Sequence, residues 1–231
     1  MNHSNTFDSD QEGNFSGHLN NRKIQARAIE SDNKMVEQAI ILLSDGGVSA
    51  VTLESVGVNA GYSRGLVTRR YGSKSGLLIR VLISLEDWLE KKSKVAISGK
   101  YGLDAIYSLL LDMVNDIYIN KDKYRAYFWL RFYGLESNDE LNKYLIEFQK
   151  IRDKNLIKWL KEALVLEQLS RNSDIEMLAD FVMTAMMGLV HKWMVDPEFN
   201  IELRLKQMIN IQLKTMFENS HLYYSVKYWG E

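Results

Sequence analysis

Small, polar and cationic side chains are concentrated in residues 63–71, where they could bind DNA. Ser63 can cap a helix in which Val67 and Tyr71 stand four residues apart and can both face the core. The rest of that helix carries the small, polar and cationic residues: Arg64, Gly65, Thr68, Arg69 and Arg70. Such a face suits the major groove, where these side chains bind base edges and phosphates. The segment therefore predicts contact with duplex DNA.

Another short helix signal lies immediately upstream, in residues 52–60. Thr52 can cap it, and Leu53, Val56 and Ala60 recur at the spacing of one helix face. Gly61 then supplies the backbone freedom that a tight break between two helices requires. Two short helices joined by such a break are typical of a helix-turn-helix.

Apolar, small and capping residues follow one another in a characteristic order between residues 35 and 77. They are Met35, Val36, Ala39, Ile40, Leu43, Gly47, Thr52, Val56, Ala60, Gly61, Ser63, Gly65, Tyr71, Lys74 and Leu77. This order and spacing resemble the TetR family of bacterial one-component transcription regulators. The resemblance implies that Gly65 allows close approach to DNA, that Tyr71 fills an aromatic position and that Lys74 lies beside a phosphate. The predicted DNA-binding residues are Thr52, Ser63, Arg64, Gly65, Thr68, Arg69, Arg70, Tyr71 and Lys74.

Two residues depart from the family pattern. Thr68 stands where a tyrosine is usual, so a common phosphate or base contact is lost. Gly57 stands where an alanine is usual, and glycine weakens a helix. The arginines around Thr68 can compensate for the first departure.

The resemblance implies an all-α protein with an N-terminal three-helix helix-turn-helix domain, a linker helix, and a helical ligand-binding and dimerisation domain. A single proline, Pro197, and the lack of alternating apolar runs also favour an all-α fold. We predict a disordered tail at 1–20, a DNA-binding domain at 21–80, an effector-binding and dimerisation domain at 81–220, and an aromatic tail at 221–231. The linker helix extends from Lys74 to about Lys92, and further helices are predicted at 102–119, 122–136, 138–168, 174–195 and 199–218.

Composition bounds the class of protein. The chain has 231 residues, 46% of them hydrophobic, which is enough for a substantial buried core. Charge interrupts the apolar runs and no signal peptide opens the chain, so we expect a cytoplasmic protein without membrane spans. The absence of cysteine excludes disulfides, thiolate metal ligands and cysteine nucleophiles.

Charge is unevenly distributed, although the net charge is only −1. Between positions 22 and 74 the sequence has eight basic residues and five acidic ones. The basic excess lies near the helix predicted in residues 63–71, which we call the reading helix. Arg22, Lys23 and Arg27 could form an arm along the DNA backbone, or they could lie on a solvated charged segment.

An aromatic segment at 124–133 predicts a buried central helix. Together with methionines and aromatics elsewhere it favours a pocket for a flat or elongated apolar effector, although each residue could instead belong to the core. Arg125, Arg131 or His191 could anchor a polar group, or could form surface ion pairs. The predicted pocket residues are Met113, Tyr127, Trp129, Phe132, Tyr133, Phe148, Trp159, Met183, Met186 and His191.

The last two predicted helices each carry an apolar stripe, which favours a four-helix dimer interface or, alternatively, an intramolecular core. The predicted interface residues are Ala179, Val182, Ala185, Leu189, Trp193, Leu205, Met208, Ile209 and Leu213. The aromatic C-terminal tail could fold onto the body of its own chain or onto a partner.

Enzymatic chemistry finds little support. His3, His18, His191 and His221 show no metal-ligand spacing, and no glycine-rich phosphate loop follows a strand. We therefore expect no catalytic residue, metal or cofactor.

These features predict a homodimeric repressor that leaves a pseudo-palindromic operator when a small apolar or aromatic effector binds. Two alternatives stay open. The first is a DNA-binding regulator controlled by a protein partner, and the second is a helical ligand-binding protein without a DNA function.

Overall fold

The computed structural model describes residues 10–134, 140–196 and 198–216. Over these residues the chain forms nine α-helices and no strand, which confirms the predicted all-α fold. The helices are α1 (Asp10–Ala50), α2 (Leu53–Ala60), α3 (Arg64–Tyr71), α4 (Lys74–Ala96), α5 (Gly102–Asp116), α6 (Lys121–Gly134), α7 (Glu140–Val165), α8 (Ile175–Val195) and α9 (Ile201–Met216). Pro197, residues 1–9 and the aromatic tail at 221–231 lie outside the described residues.

The first helix starts earlier than the sequence predicts. It begins at Asp10, within the segment for which a disordered tail at 1–20 is predicted. Extending an existing helix adds one hydrogen bond for each residue ordered, so a helix can continue into a segment that has no apolar face of its own. Near its other end α1 is kinked at Gly47, whose φ of 66° is readily adopted only by glycine.

Side-chain caps determine where α2 and α3 begin. The Thr52 side chain accepts a hydrogen bond from the backbone N–H of Ser55, and the Ser55 hydroxyl oxygen accepts one from the backbone N–H of Thr52, which completes a capping box. Ser63 caps α3 by accepting from the backbone N–H of Leu66. Gly61 ends α2 in the left-handed conformation, with φ of 77°. The two short helices and the break between them therefore form as predicted.

A continuous apolar core connects the N-terminal helices with the rest of the protein. Buried residues form one cluster that extends from Met35 in α1 to Ile209 in α9. The helix α4 passes from the helix-turn-helix into the second half, with Leu77, Val81 and Leu85 buried on one side. The predicted domain boundary at residue 80 thus falls inside this helix.

Helix α6 lies against the C-terminal part of α1 and forms a joint between the two halves. The Ser44 hydroxyl donates to Asp122 Oδ1 at 2.7 Å, and Arg125 Nε donates to the backbone oxygen of Ser44 at 3.1 Å. At the kink, a Cβ atom added to Gly47 would lie 3.3 Å from the ring of Trp129. The absence of a side chain at Gly47 therefore lets this tryptophan approach the backbone of α1.

Candidate DNA-binding surface and ligand cavity

Most of the predicted DNA-binding residues share one open surface. Six of the nine are exposed, and they extend along α3 and the N-terminus of α2: Thr52, Ser63, Arg64, Gly65, Thr68 and Arg69. The Arg64 guanidinium has a long ion pair with Glu54, at 3.9 Å, and both side chains are largely exposed. Such a contact is weak in water and can be exchanged for a phosphate. This surface can accept a polyanion without disturbing the core.

Two glycines of the helix-turn-helix occupy opposite environments. A Cβ atom added to Gly57 would lie 2.9 Å from the backbone oxygen of Tyr62 and 3.2 Å from Cγ2 of Val67, so this glycine lets α2 and α3 approach closely. A Cβ atom added to Gly65 would have only the hydroxyl of Ser63, at 3.9 Å, within 4 Å. No described part of the chain requires a glycine at position 65, which leaves room there for an external partner.

The remaining predicted residues, Arg70, Tyr71 and Lys74, have hydrogen-bond partners within the chain. The carboxylate of Asp32, in α1, accepts a hydrogen bond of 2.7 Å from the Tyr71 hydroxyl, and Arg80 donates to it from Nε and Nη2 at 3.0 and 2.7 Å. Arg70 Nη1 lies 3.8 Å from Asp32 and donates to the backbone oxygen of Ala28 at 2.7 Å. Burial is the main cause that raises the pKa of Tyr71, and the hydrogen bond to Asp32 raises it further, so the Tyr71 hydroxyl stays protonated. Asp32 thus joins α1, α3 and α4.

Lys74 also has an internal partner in this structure. Its ammonium group donates to the backbone oxygen of Val48 at 2.6 Å, and burial lowers the pKa of the side chain. Val48 lies in the last turn of α1, so this hydrogen bond joins the start of α4 to the end of α1. Arg70, Tyr71 and Lys74 therefore hold the reading helix in place, and their contacts with DNA stay a prediction.

An apolar cavity of ≈ 390 Å³ lies between five helices of the second half, α4 to α8. Its volume is within the range of small-molecule sites, which are mostly apolar and carry a few well-placed polar groups. Six of the ten predicted pocket residues line it: Met113, Tyr127, Phe148, Trp159, Met183 and Met186.

The other four predicted pocket residues lie elsewhere. Trp129 belongs to the joint between α1 and α6, where its ring contacts Gly47. Phe132 meets His191 edge to face, with ring centroids 6.0 Å apart, and His191 is exposed. Tyr133 packs against the core without lining the cavity. Because residues on one helix face different neighbours, the aromatic segment is divided between the cavity, the joint and the surface.

Sequence reasoning misses the main polar group of the cavity. Glu86 of α4 and Arg152 of α7 form an ion pair in its wall, with only 12% and 26% of their side chains exposed. Beside them Arg131 Nη1 donates to the Tyr127 hydroxyl at 3.0 Å. Glu86 and Arg152 are separated by 66 residues, so no local pattern reveals their contact. Arg131 was foreseen as one possible anchor.

Most of the predicted interface residues are buried within the chain itself. The buried ones are Ala179, Val182, Trp193, Leu205, Met208 and Ile209. Ala185 and Leu189 are partly exposed, and the side chain of Leu213 lies outside the described part of the structure. The opposite faces of α8 and α9 carry the exposed apolar residues: Met177, Phe181, Val195, Leu203 and Ile211. The buried set therefore packs within the chain, because each helix has two apolar faces, and the position of the dimer interface stays a prediction.

Helix α8 is unusually apolar for its exposure. Among the described helices it alone is long and apolar enough to cross a membrane, judged by length and composition. Only 22% of the apolar stretch that meets this test is buried. A large exposed apolar face is typical of an interaction surface. We refer to Met177, Phe181, Val195, Leu203 and Ile211 as the outer stripe.

Comparison with known proteins agrees with this arrangement. Residues 36–81 match the family model for bacterial regulatory proteins of the tetR family. This segment is therefore similar to the DNA-binding domain of that family. The predicted TetR resemblance is thereby confirmed, and the matched segment contains α2, α3 and the start of α4. No curated protein matches the sequence.

Several solved structures of TetR-type regulators align with this chain over nearly their whole length. SmeT, the repressor of the Stenotrophomonas maltophilia efflux pump SmeDEF, is 17% identical with a TM-score of 0.68, covering 87% of this chain and 96% of SmeT. The ketosteroid regulator KstR2 of Mycobacterium tuberculosis is 15% identical with a TM-score of 0.64, and the alignment covers 81% of this chain and 95% of KstR2. NalD, the secondary repressor of the Pseudomonas aeruginosa pump MexAB-OprM, is 17% identical with a TM-score of 0.64, and the alignment covers 83% of this chain and 99% of NalD. At such identities these likenesses establish the fold.

Proposed function

We propose that the protein is a ligand-responsive transcriptional repressor, which binds a pseudo-palindromic operator in the cytoplasm and leaves it when a small effector occupies the cavity. One observation carries the proposal: α4 forms part of the cavity wall and, through Arg80, also binds Asp32 of α1, whose carboxylate accepts from Tyr71 of α3. Filling the cavity can therefore act on the reading helix through one continuous element. Allosteric coupling requires that the effector favour the arrangement that does not bind DNA.

The direct test is binding to the DNA upstream of the protein's own gene. Gel shift of the wild-type chain should show a complex that weakens with salt, since phosphate contacts release counterions. The Arg69→Ala variant should bind less tightly, whereas Lys91→Ala, which changes an exposed lysine on α4, should bind normally. Equal binding of both variants and of an unrelated duplex would count against a sequence-specific regulator.

A two-fold operator requires a dimer, and we place the interface on the outer stripe. Two copies of an apolar face can bury each other about a two-fold axis, which presents the reading helices to half-sites about 34 to 36 Å apart or a multiple of that. A charge at Met208 is unsuitable as a test of the interface, because this residue is buried and the charge would disturb the fold.

The sharper test replaces one outer-stripe residue. Phe181→Asp, at a position 55% exposed, should give a folded monomer by light scattering. Val165→Asp changes a residue that is 83% exposed on α7 and should leave the dimer intact. A dimer that survives Phe181→Asp would place the interface elsewhere.

The alternative regulator, controlled by a protein partner, has the weaker support. An apolar cavity that contains an ion pair has no obvious use in a purely structural core, because buried charges are costly. Ligand-dependent thermal shift separates the two cases, since a bound effector stabilises the folded chain in proportion to its occupancy.

A further inference from the structure

Positive charge exceeds negative charge at one end of the cavity. The guanidinium carbons of Arg131 and Arg152 lie 5.7 and 5.2 Å from the centre of the Tyr127 ring, so both cations contact the same tyrosine. Burial raises the pKa of Tyr127, whose hydroxyl therefore stays neutral. Glu86 is the carboxylate paired with this group, through Arg152. Among the residues that line this end of the cavity, two cations thus share one anion, while Asp153, outside the lining, adds a negative charge near Arg152.

Both arginines retain capacity for a further acceptor. Arg131 donates to neutral oxygens, the Tyr127 hydroxyl at 3.0 Å and Gln149 Oε1 at 2.6 Å. Arg152 Nη1 is buried and has no hydrogen-bond acceptor within the described ranges. A buried cationic donor without an acceptor is costly, and a carboxylate oxygen is the partner that best relieves that cost.

The acidic residues elsewhere in the cavity wall already have partners. At the other end Lys92 lies 3.3 Å from Asp112 and 3.0 Å from Asp116. Two exposed carboxylates at the rim pair with lysines one helical turn further along α4: Asp87 with Lys91, and Glu90 with Lys94. The unpaired positive charge is therefore localised at Arg131 and Arg152.

We propose that the effector is an anionic amphiphile, with an apolar body among Phe148, Trp159 and Met186 and one carboxylate-type head on Arg131 and Arg152. This inference rests on the proposed function and names the chemical class of its effector. The guanidinium group suits such a head because its donors match the two oxygens of a carboxylate.

The same contact connects the head to the reading helix. A carboxylate on Arg152 Nη1 repels the Glu86 carboxylate on Nη2 and so weakens this ion pair, to which α4 contributes Glu86. Six residues earlier, about 9 Å along the same helix, Arg80 binds Asp32 and so holds Tyr71 of the reading helix. Weakening this ion pair loosens α4 from α7 and leaves the segment that carries Arg80 free to move.

The first experiment compares acids with their neutral amides. Calorimetry on the full chain uses decanoate against decanamide and 2-naphthoate against 2-naphthamide, with decylamine as the cationic probe, all below micelle-forming concentrations. At least one acid should bind about tenfold more tightly than its amide, and the amine should bind no better than the amide. The preference should vanish in Arg131→Gln and return in part in Arg131→Lys.

The matched control is Lys92→Gln, which removes a cation from the opposite end of the same cavity. It should keep the preference for acids. The proposal is overturned if no acid binds better than its amide, if the amine binds best, or if Arg131→Gln and Lys92→Gln alter the preference equally. Because the wild-type comparison involves no variant, a misfolded Arg131→Gln would not hide a negative result.

The second experiment tests the repulsion from Glu86. Glu86→Gln removes the repelling negative charge, so the preferred acid should bind several-fold more tightly and release the operator at lower concentration. Unchanged acid affinity in this variant overturns the repulsion. Wild-type protein that binds its operator but shows no preference for acids overturns this inference alone. Protein that prefers acids but binds no operator overturns the proposed function and leaves the ligand class standing.

Discussion

The DNA-reading end and the cavity end of this protein are built from different kinds of information. The exposed reading surface comes from residues 52–69, and its helices begin at caps supplied by immediate neighbours, Thr52 and Ser63. The polar end of the cavity comes from three helices, and its ion pair joins Glu86 to a residue 66 positions away. Local chemistry is therefore visible in the sequence, whereas chemistry assembled by tertiary packing is not.

The two ends also use arginine differently. Arg69 is exposed at the reading surface, whereas Arg70, its neighbour in sequence, donates to a backbone oxygen of α1. In the cavity Arg152 is largely buried against Glu86. The same side chain can therefore bind a polyanion, join helices or bind a ligand, and burial together with its partners distinguishes these uses.

The largest expected effect concerns Trp129, which lies in the joint rather than in the cavity wall. Trp129→Ala should lower the free energy of unfolding by about 3 kcal/mol, because it empties the space against Gly47. Trp159→Ala removes a side chain that is only partly buried in the cavity wall, so it should cost less. Urea denaturation of both variants makes the comparison. Equal losses would mean that the joint contributes no more to stability than the cavity wall.

The next effect concerns the carboxylate that organises the reading helix. Asp32→Asn should cost about 2 to 3 kcal/mol of stability, because it leaves Arg80 and Arg70 without their anion in a partly buried site. The control, Glu30→Gln, removes an exposed pair with Lys34 two residues earlier and should leave the melting temperature nearly unchanged. Thermal melts of the two variants measure the difference. Similar melting temperatures would show that Asp32 does not secure α3 and α4.

The sequence predicts the fold well because its signals are local. Helices α5 to α9 begin and end within a few residues of the predicted positions, since glycines, caps and apolar spacing act over one or two turns. The cavity was only partly predictable. Tyr127 and Trp129 are two residues apart and equally aromatic, yet one lines the cavity and the other the joint. Only the packing of α6 between its neighbours decides which is which.

The interface prediction shows the same limit in another form. Helix α8 has apolar residues on two faces, and sequence periodicity alone does not say which face is covered by its own chain. Val182 and Trp193 were assigned to a partner and are buried internally, whereas Phe181, one position from Val182, is exposed. Adjacent positions on a helix point about 100° apart, so the choice of face reverses the assignment of neighbouring residues.

A third prediction sharpens the contrast between exposed and internal arginines. Arg69→Ala should lower operator affinity by about 1 to 3 kcal/mol if its side chain reads a base edge, with the melting temperature unchanged. Arg70→Ala should instead lower the melting temperature, since its guanidinium holds the backbone of α1. Fluorescence anisotropy on the operator, together with thermal melts, separates the two effects. Unchanged affinity in a folded Arg69→Ala variant would show that α3 is oriented differently on DNA.

The smallest expected effects come from the two glycines of the helix-turn-helix, and their signs should differ. Gly57→Ala gains helix propensity, about 1 kcal/mol, but its Cβ would meet the backbone oxygen of Tyr62 at 2.9 Å, and such overpacking costs about 1 to 3 kcal/mol. We therefore expect a net loss of stability. Gly65→Ala meets no comparable obstacle within the chain, so it should stabilise the fold by about 0.5 kcal/mol.

Operator binding should reverse the ranking of these two variants. A methyl group at Gly65 projects from the exposed face of α3 into the space that we assign to DNA, so Gly65→Ala should bind the operator less tightly although it is the more stable protein. Gly57→Ala should retain more affinity at temperatures where it remains folded, because its methyl group points between α2 and α3. Chemical denaturation gives the free energy of unfolding of each variant, and operator titration gives the operator affinity of each. If Gly65→Ala binds DNA as tightly as the wild-type chain, close approach at that position is not what the glycine provides, and the reading helix presents another side to the groove.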